Sequence, residues 1–228
     1  MNVKNLVRLY FSRMFTRPLV NETTLDIMTT YRCNLRCKMC NNWKAPLKDP
    51  DSTDTELSIS DYDKLARDLK GVRCRVVELQ GGEPFLRTDI LDIISVFKKH
   101  GLGIRIVSNG TLITEELAKE IARSCLDITI SLDGHNKRLH ERNRGLEGCF
   151  EKTIHGIRLL ELERKKSKSD LKIYTHTTYT DNNLSSPGPL LLLGKSLGVD
   201  GMRFTPASMG NEANFRGGLG EREGVTRG

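Results

Sequence analysis

Short segments rich in β-branched residues alternate with helical patterns along most of this 228-residue chain, and this alternation restricts the fold more than any other feature. Strands that are joined through helices run parallel, with right-handed crossovers. Six segments are predicted as strands: "TLDIMTT" (24–30), "CRVVELQ" (74–80), "GIRIVS" (103–108), "LDITISL" (126–132), "LKIYTHTTYT" (171–180) and "GMRFTPA" (201–207). The chain is therefore predicted to be an α/β protein whose parallel sheet is either doubly wound or curved into a barrel.

Helical periodicity fills the intervals between these strands. In "SISDYDKLARDLKG", Ser60 is predicted as the N-cap, Asp63 as its capping-box partner and Gly71 as the end of the helix. Further helices are predicted over 88–101, 114–125, 149–166 and 190–197. The polar segment 133–148 is predicted as a long loop.

Polar, glycine-rich segments follow the first four predicted strands. They are a cysteine-containing loop, then "GGEP" at 81–84, "SNG" at 108–110 and "SLDG" at 131–134. The carboxyl ends of parallel strands meet at one edge of the sheet, where ligands bind in both candidate architectures. A binding site is expected at this edge.

Three cysteines, Cys33, Cys37 and Cys40, occupy one short loop with CxxxCxxC spacing. The adjacent Arg36 and Lys38 are expected to favour thiolates. Three thiolates suit a four-iron cluster whose fourth iron is open to an outside ligand. Structural zinc, the alternative, needs a fourth protein ligand; the candidates are His100, His135 and His140. Each remaining cysteine falls in a separate element and is predicted to be a small buried residue: Cys74, Cys125 and Cys149.

CxxxCxxC after the first strand, GGEP after the second and SxDG after the fourth together resemble the radical S-adenosylmethionine superfamily. The resemblance covers residues 24–206 and is nearest to the group of peptide maturases and the molybdenum-cofactor biosynthesis protein. It implies a partial (β/α)6 barrel with parallel strands. It also implies that Cys33, Cys37 and Cys40 hold a 4Fe-4S cluster, at which S-adenosylmethionine is cleaved to a 5′-deoxyadenosyl radical.

The resemblance implies further cofactor-binding residues at the strand ends. Gly81 and Gly82 let the backbone approach the methionyl group, and Glu83 accepts a hydrogen bond from its ammonium. Met39 is placed against the adenine. Hydroxyl, amide, carboxylate and guanidinium groups are offered to the ribose or to the methionyl carboxylate by Ser108, Asn109, Ser131, Asp133 and Arg144. Ordinary turn chemistry competes for Asn109 and Asp133, and an exposed surface position competes for Arg144.

Three segments are predicted: a basic amphipathic helix at 1–20, a core domain at 21–206 and a loosely ordered glycine-rich tail at 207–228. The first helix packs on its own domain or docks on a membrane surface or partner. The chain has a formal charge of +7, but its charges are mixed in sign, so nucleic acid is an unlikely partner. No apolar run is long enough to cross a bilayer, and the cysteine content indicates a reducing, cytoplasmic setting.

The expected partners are a reducing protein, such as a ferredoxin or flavodoxin, and a substrate that is a peptide or a small molecule. No cysteine-rich C-terminal extension follows the core, which suggests a minimal or truncated member. The rival interpretation is a noncatalytic iron–sulfur or zinc module for electron transfer or regulation. A nucleic-acid modifier of the same superfamily is suggested only by charge.

Overall fold

A computed structural model describes residues 23–44, 56–72, 74–184 and 187–207 of the chain. These residues contain six strands: β1 (Thr23–Thr30), β2 (Cys74–Gly81), β3 (Gly103–Ser108), β4 (Asp127–Ser131), β5 (Lys172–Tyr179) and β6 (Gly201–Pro206). They also contain six α-helices: α1 (Ile59–Gly71), α2 (Ile90–Lys99), α3 (Glu115–Ser124), α4 (Lys137–Arg144), α5 (Cys149–Ser167) and α6 (Pro187–Ser196). The predicted N-terminal helix and all but the first residue of the predicted tail lie outside the described residues.

The six strands form one sheet in the order β1-β2-β3-β4-β5-β6, and every neighbouring pair is parallel. A doubly wound sheet reverses its strand order at a switch point, whereas here spatial order follows chain order throughout. Uniform right-handed crossovers then place the helices on one face of the sheet. The fold is the predicted partial (β/α)6 barrel.

Alternating side chains along the strands build the core between sheet and helices. Val77 and Leu79 of β2 stand in register with Ile104 and Ile106 of β3. The opposing helical residues have no exposed surface: Tyr62, Ala66, Ile93, Ile94, Phe97, Ile121, Ile157 and Leu160. The other strand positions, two residues apart, face the inside of the half-barrel.

Helix α1 begins earlier than the sequence analysis expected. Its N-cap is Ser58, whose hydroxyl accepts a hydrogen bond from the Asp61 amide at 3.3 Å, while the Asp61 carboxylate accepts one from the Ser58 amide at 2.9 Å. Ser58 and Ser60 are each followed three residues later by aspartate, so the motif fits both registers. Packing of Ile59 against the core selects the earlier one, and the prediction of Ser60 as N-cap was wrong.

The segment 133–148, predicted as a loop, contains helix α4. The Asn136 side chain caps its start by accepting from the Leu139 amide at 3.0 Å, and Gly145 ends it at a φ of 70°. Its sequence, "KRLHERNR", has no apolar stripe, because the face that it buries consists of polar residues: His140, Asn143 and Arg144. Apolar periodicity therefore gave no signal here.

Within the described part of the chain, no helix combines the length and the apolar character that crossing a bilayer requires. The longest of these helices, α5, carries several charged residues on its exposed side.

Candidate cofactor-binding site

A cavity of about 420 Å³ opens at the carboxyl ends of the strands and is called here the strand-end cavity. Ten of the twelve residues predicted as site residues line it: Cys33, Cys37, Met39, Cys40, Gly81, Gly82, Ser108, Asn109, Ser131 and Arg144. Glu83 and Asp133 do not line it, and both are fully buried. Residues from three predicted strand-end segments and the cysteine loop therefore meet in one place.

The cysteine loop, residues 31–44, folds back so that its three thiols share this cavity. Cys37 is buried and packs with Leu35 and Cys149, while Cys33 and Cys40 lie at the edge of the same cluster. Cys149 is therefore buried as predicted, but it lies beside the loop. Two further bonds order the loop: the Leu35 amide donates to the Cys33 sulfur at 3.4 Å, and the Cys40 amide donates to the Cys37 carbonyl at 3.2 Å.

Burial is the main cause of the pKa shifts of Cys33 and Cys37. It raises the pKa of Cys33 to about 11 and also raises the pKa of Cys37. The Arg36 guanidinium donates to the backbone carbonyls of Cys33 and Leu35 and lies 5.2 Å from the centre of the Trp43 ring. Among the nearby cations, Arg144 acts to lower the pKa of Cys37, and the effect of Arg36 and Lys38 on the thiols stays a prediction.

The last turn of helix α4 holds the cysteine loop through two backbone hydrogen bonds. The Arg36 amide donates to the Arg144 carbonyl at 3.2 Å, and the Lys38 amide donates to the Asn143 carbonyl at 3.1 Å. A side chain at Gly145 would place its Cβ only 2.4 Å from the Arg36 carbonyl oxygen. The last turn of α4 is thus fitted to the loop at backbone distance.

Arg144 places a guanidinium cation beside Cys37. Its Nη1 is 3.9 Å from the Cys37 sulfur, and its Nε is 2.7 Å from Asp133 Oδ2. The Nε–H bond is not directed at that oxygen, so the contact is an ion pair and not an aligned hydrogen bond. The other Asp133 oxygen accepts from the Thr178 amide at 2.8 Å. Asp133 therefore holds the arginine and the end of β5 from behind the cavity.

The glycines of the GGEP segment lie against the chain that enters the cysteine loop. A Cβ at Gly81, whose φ is 147°, would lie 2.4 Å from the Thr30 carbonyl oxygen, and one at Gly82 would lie 2.2 Å from that of Arg32. The Gly82 and Glu83 amides donate to these two carbonyls at 2.7 and 2.8 Å. Only glycine permits this approach.

Glu83 points away from the cavity and joins two strand-end segments. Its carboxylate accepts from the Ser108 hydroxyl at 2.9 Å and from the backbone amides of Asn109 at 2.8 Å and Phe85 at 3.2 Å. Burial outweighs these bonds and raises the pKa of Glu83 to about 7. The carboxylate thus fixes Ser108 and Asn109 at the wall of the cavity.

The Asn109 side chain continues this connection to the cysteine loop. Its Nδ2 donates to Asn34 Oδ1 at 2.9 Å, and Asn34 Nδ2 donates to the Thr111 hydroxyl at 2.8 Å. Ser131 reaches the cavity from the end of β4, next to His176 of β5. The β3 end and the cysteine loop therefore share one hydrogen-bonded wall.

Several lining residues were not predicted from the sequence. Thr178 and Thr205 are the penultimate residues of β5 and β6, and Gln80 precedes the GGEP glycines. A polar residue at each strand end was the available signal, but without a motif it is indistinguishable from ordinary strand termini. Trp43 also lines the cavity and donates from its Nε1 to the Cys37 carbonyl at 3.2 Å.

The donor set in the cavity fits an iron–sulfur cluster better than a structural zinc ion. Among the described residues that line the cavity there is no histidine, aspartate or glutamate to complete a tetrahedral site. His100 lies instead 2.8 Å from Asp63, and His140 accepts from the Asp133 amide. In the described ranges no three His, Cys, Asp or Glu side chains are close enough to hold a single ion.

A half-barrel with three cysteines on the loop after β1 and glycines after β2 defines a class of cofactor-dependent enzymes. Residues 27–182 match the model of the radical SAM superfamily, and the chain belongs to this family. Members of this family bind a 4Fe-4S cluster and S-adenosylmethionine. The predicted family and fold are therefore confirmed.

Named relatives have diverse activities. The chain is 28% identical over 189 residues to an AdoMet-dependent heme synthase of Methanosarcina barkeri, an alignment of 81% of this chain and 51% of that protein. It is 31% identical over 144 residues to a mycofactocin maturase of Mycolicibacterium smegmatis, covering 63% and 35%. The chain thus spans about half or less of the length of these relatives.

Solved structures share the fold. SuiB of Streptococcus suis, bound to S-adenosylmethionine, superimposes with a TM-score of 0.69 at 16% identity, over 89% of this chain and 44% of that one. The enzyme anSMEcpe with bound AdoMet gives a TM-score of 0.65 at 22% identity, over 82% and 52%. At these identities the likeness shows the fold alone.

Proposed function

We propose that Cys33, Cys37 and Cys40 hold a 4Fe-4S cluster and that the chain cleaves S-adenosylmethionine reductively at the iron without a protein ligand. The observation that carries the proposal is that all three cysteines and the strand-end glycines line one cavity. When bound, the reduced cluster supplies the electron that splits a sulfonium carbon–sulfur bond, giving methionine and a 5′-deoxyadenosyl radical that takes hydrogen from the substrate.

The wall residues are assigned to binding. Gly81 and Gly82 let the GGEP backbone pack against the chain that enters the cysteine loop, and this backbone is assigned to the methionyl group. Ser108, Asn109 and Ser131 offer hydroxyl and amide groups to its carboxylate or to the ribose, and Met39 covers the adenine. Arg144 offers a cation to an anionic group of the cofactor, and its pairing with Asp133 supports this role because it fixes the guanidinium.

Glu83 and Asp133 are assigned to positioning. Direct contact of either carboxylate with the cofactor stays a prediction. The described contacts favour an indirect role, because the Glu83 carboxylate is occupied by Ser108 and two backbone amides, and Asp133 by Arg144 and Thr178. Substituting either residue should therefore displace the side chains that line the strand-end cavity more readily than it causes loss of iron.

The substrate is proposed to be a peptide or a small molecule. Support for a peptide comes from two fold neighbours, SuiB bound to the precursor peptide SuiA and anSMEcpe bound to the Cp18Cys peptide. Support for a small molecule comes from relatives named as a heme synthase and a probable GTP 3′,8-cyclase. A ferredoxin or flavodoxin is proposed as the electron donor, and the cytoplasm as the location.

Anaerobic reconstitution of the full chain tests the proposed function. Reconstituted protein should carry about four irons, and with a strong reductant and S-adenosylmethionine it should form 5′-deoxyadenosine. Replacing any one of Cys33, Cys37 and Cys40 by alanine should abolish both results. Cys74→Ala and Cys125→Ala are matched controls, because these buried cysteines lie outside the cavity lining. Full iron content in a loop variant, or a cluster without the nucleoside product, would refute the proposal.

A further inference from the structure

The inner face of the half-barrel carries a second cavity of about 370 Å³, called here the floor cavity. It extends from the strand-end cavity toward the amino ends of the strands and shares Gln80 and Val107 with it. Ionisable side chains dominate its lining: Glu78, Arg105, Asp127, Tyr174, His176 and Arg203. The reaction proposed above gives none of these six a role.

Strand register arranges the charged side chains in levels. Glu78 of β2 stands beside Arg105 of β3, which stands beside Asp127 of β4. Nearer the carboxyl ends, His176 of β5 stands beside Arg203 of β6. Closed barrel interiors are filled by Val, Ile and Leu, whereas the residues that line this cavity are half-buried or, for Arg203, exposed. The inner face of this half-barrel is therefore an open, charged surface and not a packed core.

The ionisable lining of the floor cavity lowers the stability of the folded chain. Burial raises the pKa of both Glu78 and Asp127, which means that their ionised forms are less favourable here than in water. Apolar residues at the same positions would avoid this penalty. A role in binding accounts for side chains that packing disfavours.

Ion pairs and hydrogen bonds among the lining residues compensate only part of the charge in the floor cavity. Arg105 Nε lies 3.0 Å from Asp127 Oδ2, so these two charges offset each other. The His176 imidazole Nε2 is 2.7 Å from the Thr205 hydroxyl. Within the described ranges, the side chains of Glu78, which is half-buried, and Arg203, which is exposed, share one cavity but make neither a hydrogen bond nor an ion pair. Arg203 acts on Glu78 at longer range, where its charge lowers the pKa that burial raises. The Glu78 carboxylate on β2 and the Arg203 guanidinium on β6 are therefore accessible to a charged ligand.

We propose that the floor cavity binds the substrate through a bipolar group, with a ligand ammonium or guanidinium at Glu78 and a ligand carboxylate at Arg203. This inference rests on the proposed function, because it assigns the floor cavity to the substrate of the radical reaction. The same chemistry is present in a free amino acid and in a peptide that carries a basic and an acidic side chain. A ligand held there lies next to the strand-end cavity, where the reactive group is generated.

Calorimetry on the reconstituted full chain with S-adenosylmethionine present tests this inference. The probes are ω-amino acids from aminobutanoate to aminooctanoate, the corresponding alkylamines and alkanoates, and a capped peptide with one lysine and one aspartate. The variants are Glu78→Gln and Arg203→Gln. Their controls are Glu116→Gln and Arg158→Gln, which change the same residue types at exposed helix positions.

A bipolar probe should bind about ten-fold or more tightly than the matching amine or alkanoate, because each charge-assisted contact adds affinity. Each cavity variant should remove that advantage, and the controls should retain it. Binding of the ω-amino acids alone identifies a free amino acid as the source, whereas binding of the capped peptide alone identifies a peptide; either supports the inference. No binding of any probe, or equal binding to the cavity variants, overturns it. Formation of 5′-deoxyadenosine without a probe tests the proposed function separately.

Discussion

Two glycines between helices α4 and α5 permit a matched test of how helix α4 supports the cysteine loop. Gly145 and Gly148 have nearly equal positive φ angles, 70° and 75°. They differ in their surroundings: a Cβ at Gly145 would lie 2.4 Å from the Arg36 carbonyl oxygen, whereas one at Gly148 would meet nothing within 4 Å. Gly148→Ala therefore measures left-handed strain alone, and Gly145→Ala measures the same strain plus displacement of the loop.

The magnitudes follow from these contacts. Left-handed strain costs alanine roughly 1 to 2 kcal/mol, partly offset by the lower entropy of the unfolded chain, so Gly148→Ala should lose about 1 kcal/mol. Gly145→Ala must also move the Arg36 carbonyl, which weakens the Arg36 amide bond to Arg144 and the Lys38 amide bond to Asn143. At about 1 kcal/mol for each hydrogen bond, the total loss is about 3 kcal/mol.

Urea unfolding of the cofactor-free chain measures the free energies, and iron content after reconstitution reports the effect on the loop. Gly145→Ala should lose both stability and iron, because Arg36 lies directly before Cys37. Gly148→Ala should keep its iron. Equal stability losses in the two variants, or full iron occupancy in Gly145→Ala, would show that α4 does not position the loop.

Three further predictions follow from the wall of the cavity. Gly82→Ala should weaken S-adenosylmethionine binding by roughly ten-fold or more in equilibrium dialysis, because its Cβ would meet backbone that cannot yield; unchanged affinity would mean that the glycine is needed only for the turn. The Glu83 pKa rises from an ordinary value near 4.5 to about 7 on folding, so its contribution to stability is present below pH 4.5 and is lost as the pH rises through 7. Glu83→Gln should flatten that slope in urea titrations, and an unaltered slope would assign it to other groups. Asp133→Asn should lose roughly 3 kcal/mol, because it leaves the Arg144 guanidinium buried without its carboxylate; the exposed Glu147→Gln is the control, and an equally small effect in both would contradict the role of burial.

The sheet was predictable because its strands are short β-branched runs, and neighbouring strands bury them as pairs such as Leu79 and Ile106. The location of the site was predictable because the motif residues follow strands whose carboxyl ends meet. The direction of side chains was not predictable. Glu83 and Asp133 occupy motif positions, yet their carboxylates turn inward to backbone amides and to Arg144.

Helix α4 was missed for a related reason. Its buried residues, His140 and Arg144 among them, are polar and are covered by contacts with Asp133 and the cysteine loop, which only the tertiary structure supplies. The floor cavity was missed because it depends on register across five strands. Glu78 and Arg203 are 125 positions apart in the sequence, and no local pattern relates them.

The two bonds from the cysteine loop to helix α4 also bear on electron transfer. Amide protons that point at the sulfurs of an iron–sulfur cluster stabilise its reduced, more negative state and raise its reduction potential. The Arg36 and Lys38 amides, on either side of Cys37, instead donate hydrogen bonds to the Arg144 and Asn143 carbonyls. A cluster held by this loop lacks these two donors but keeps the Leu35 amide at the Cys33 sulfur and the Arg144 guanidinium at the Cys37 sulfur. Removing the Arg144 cation should therefore lower the reduction potential of the cluster and demand a more strongly reducing electron donor.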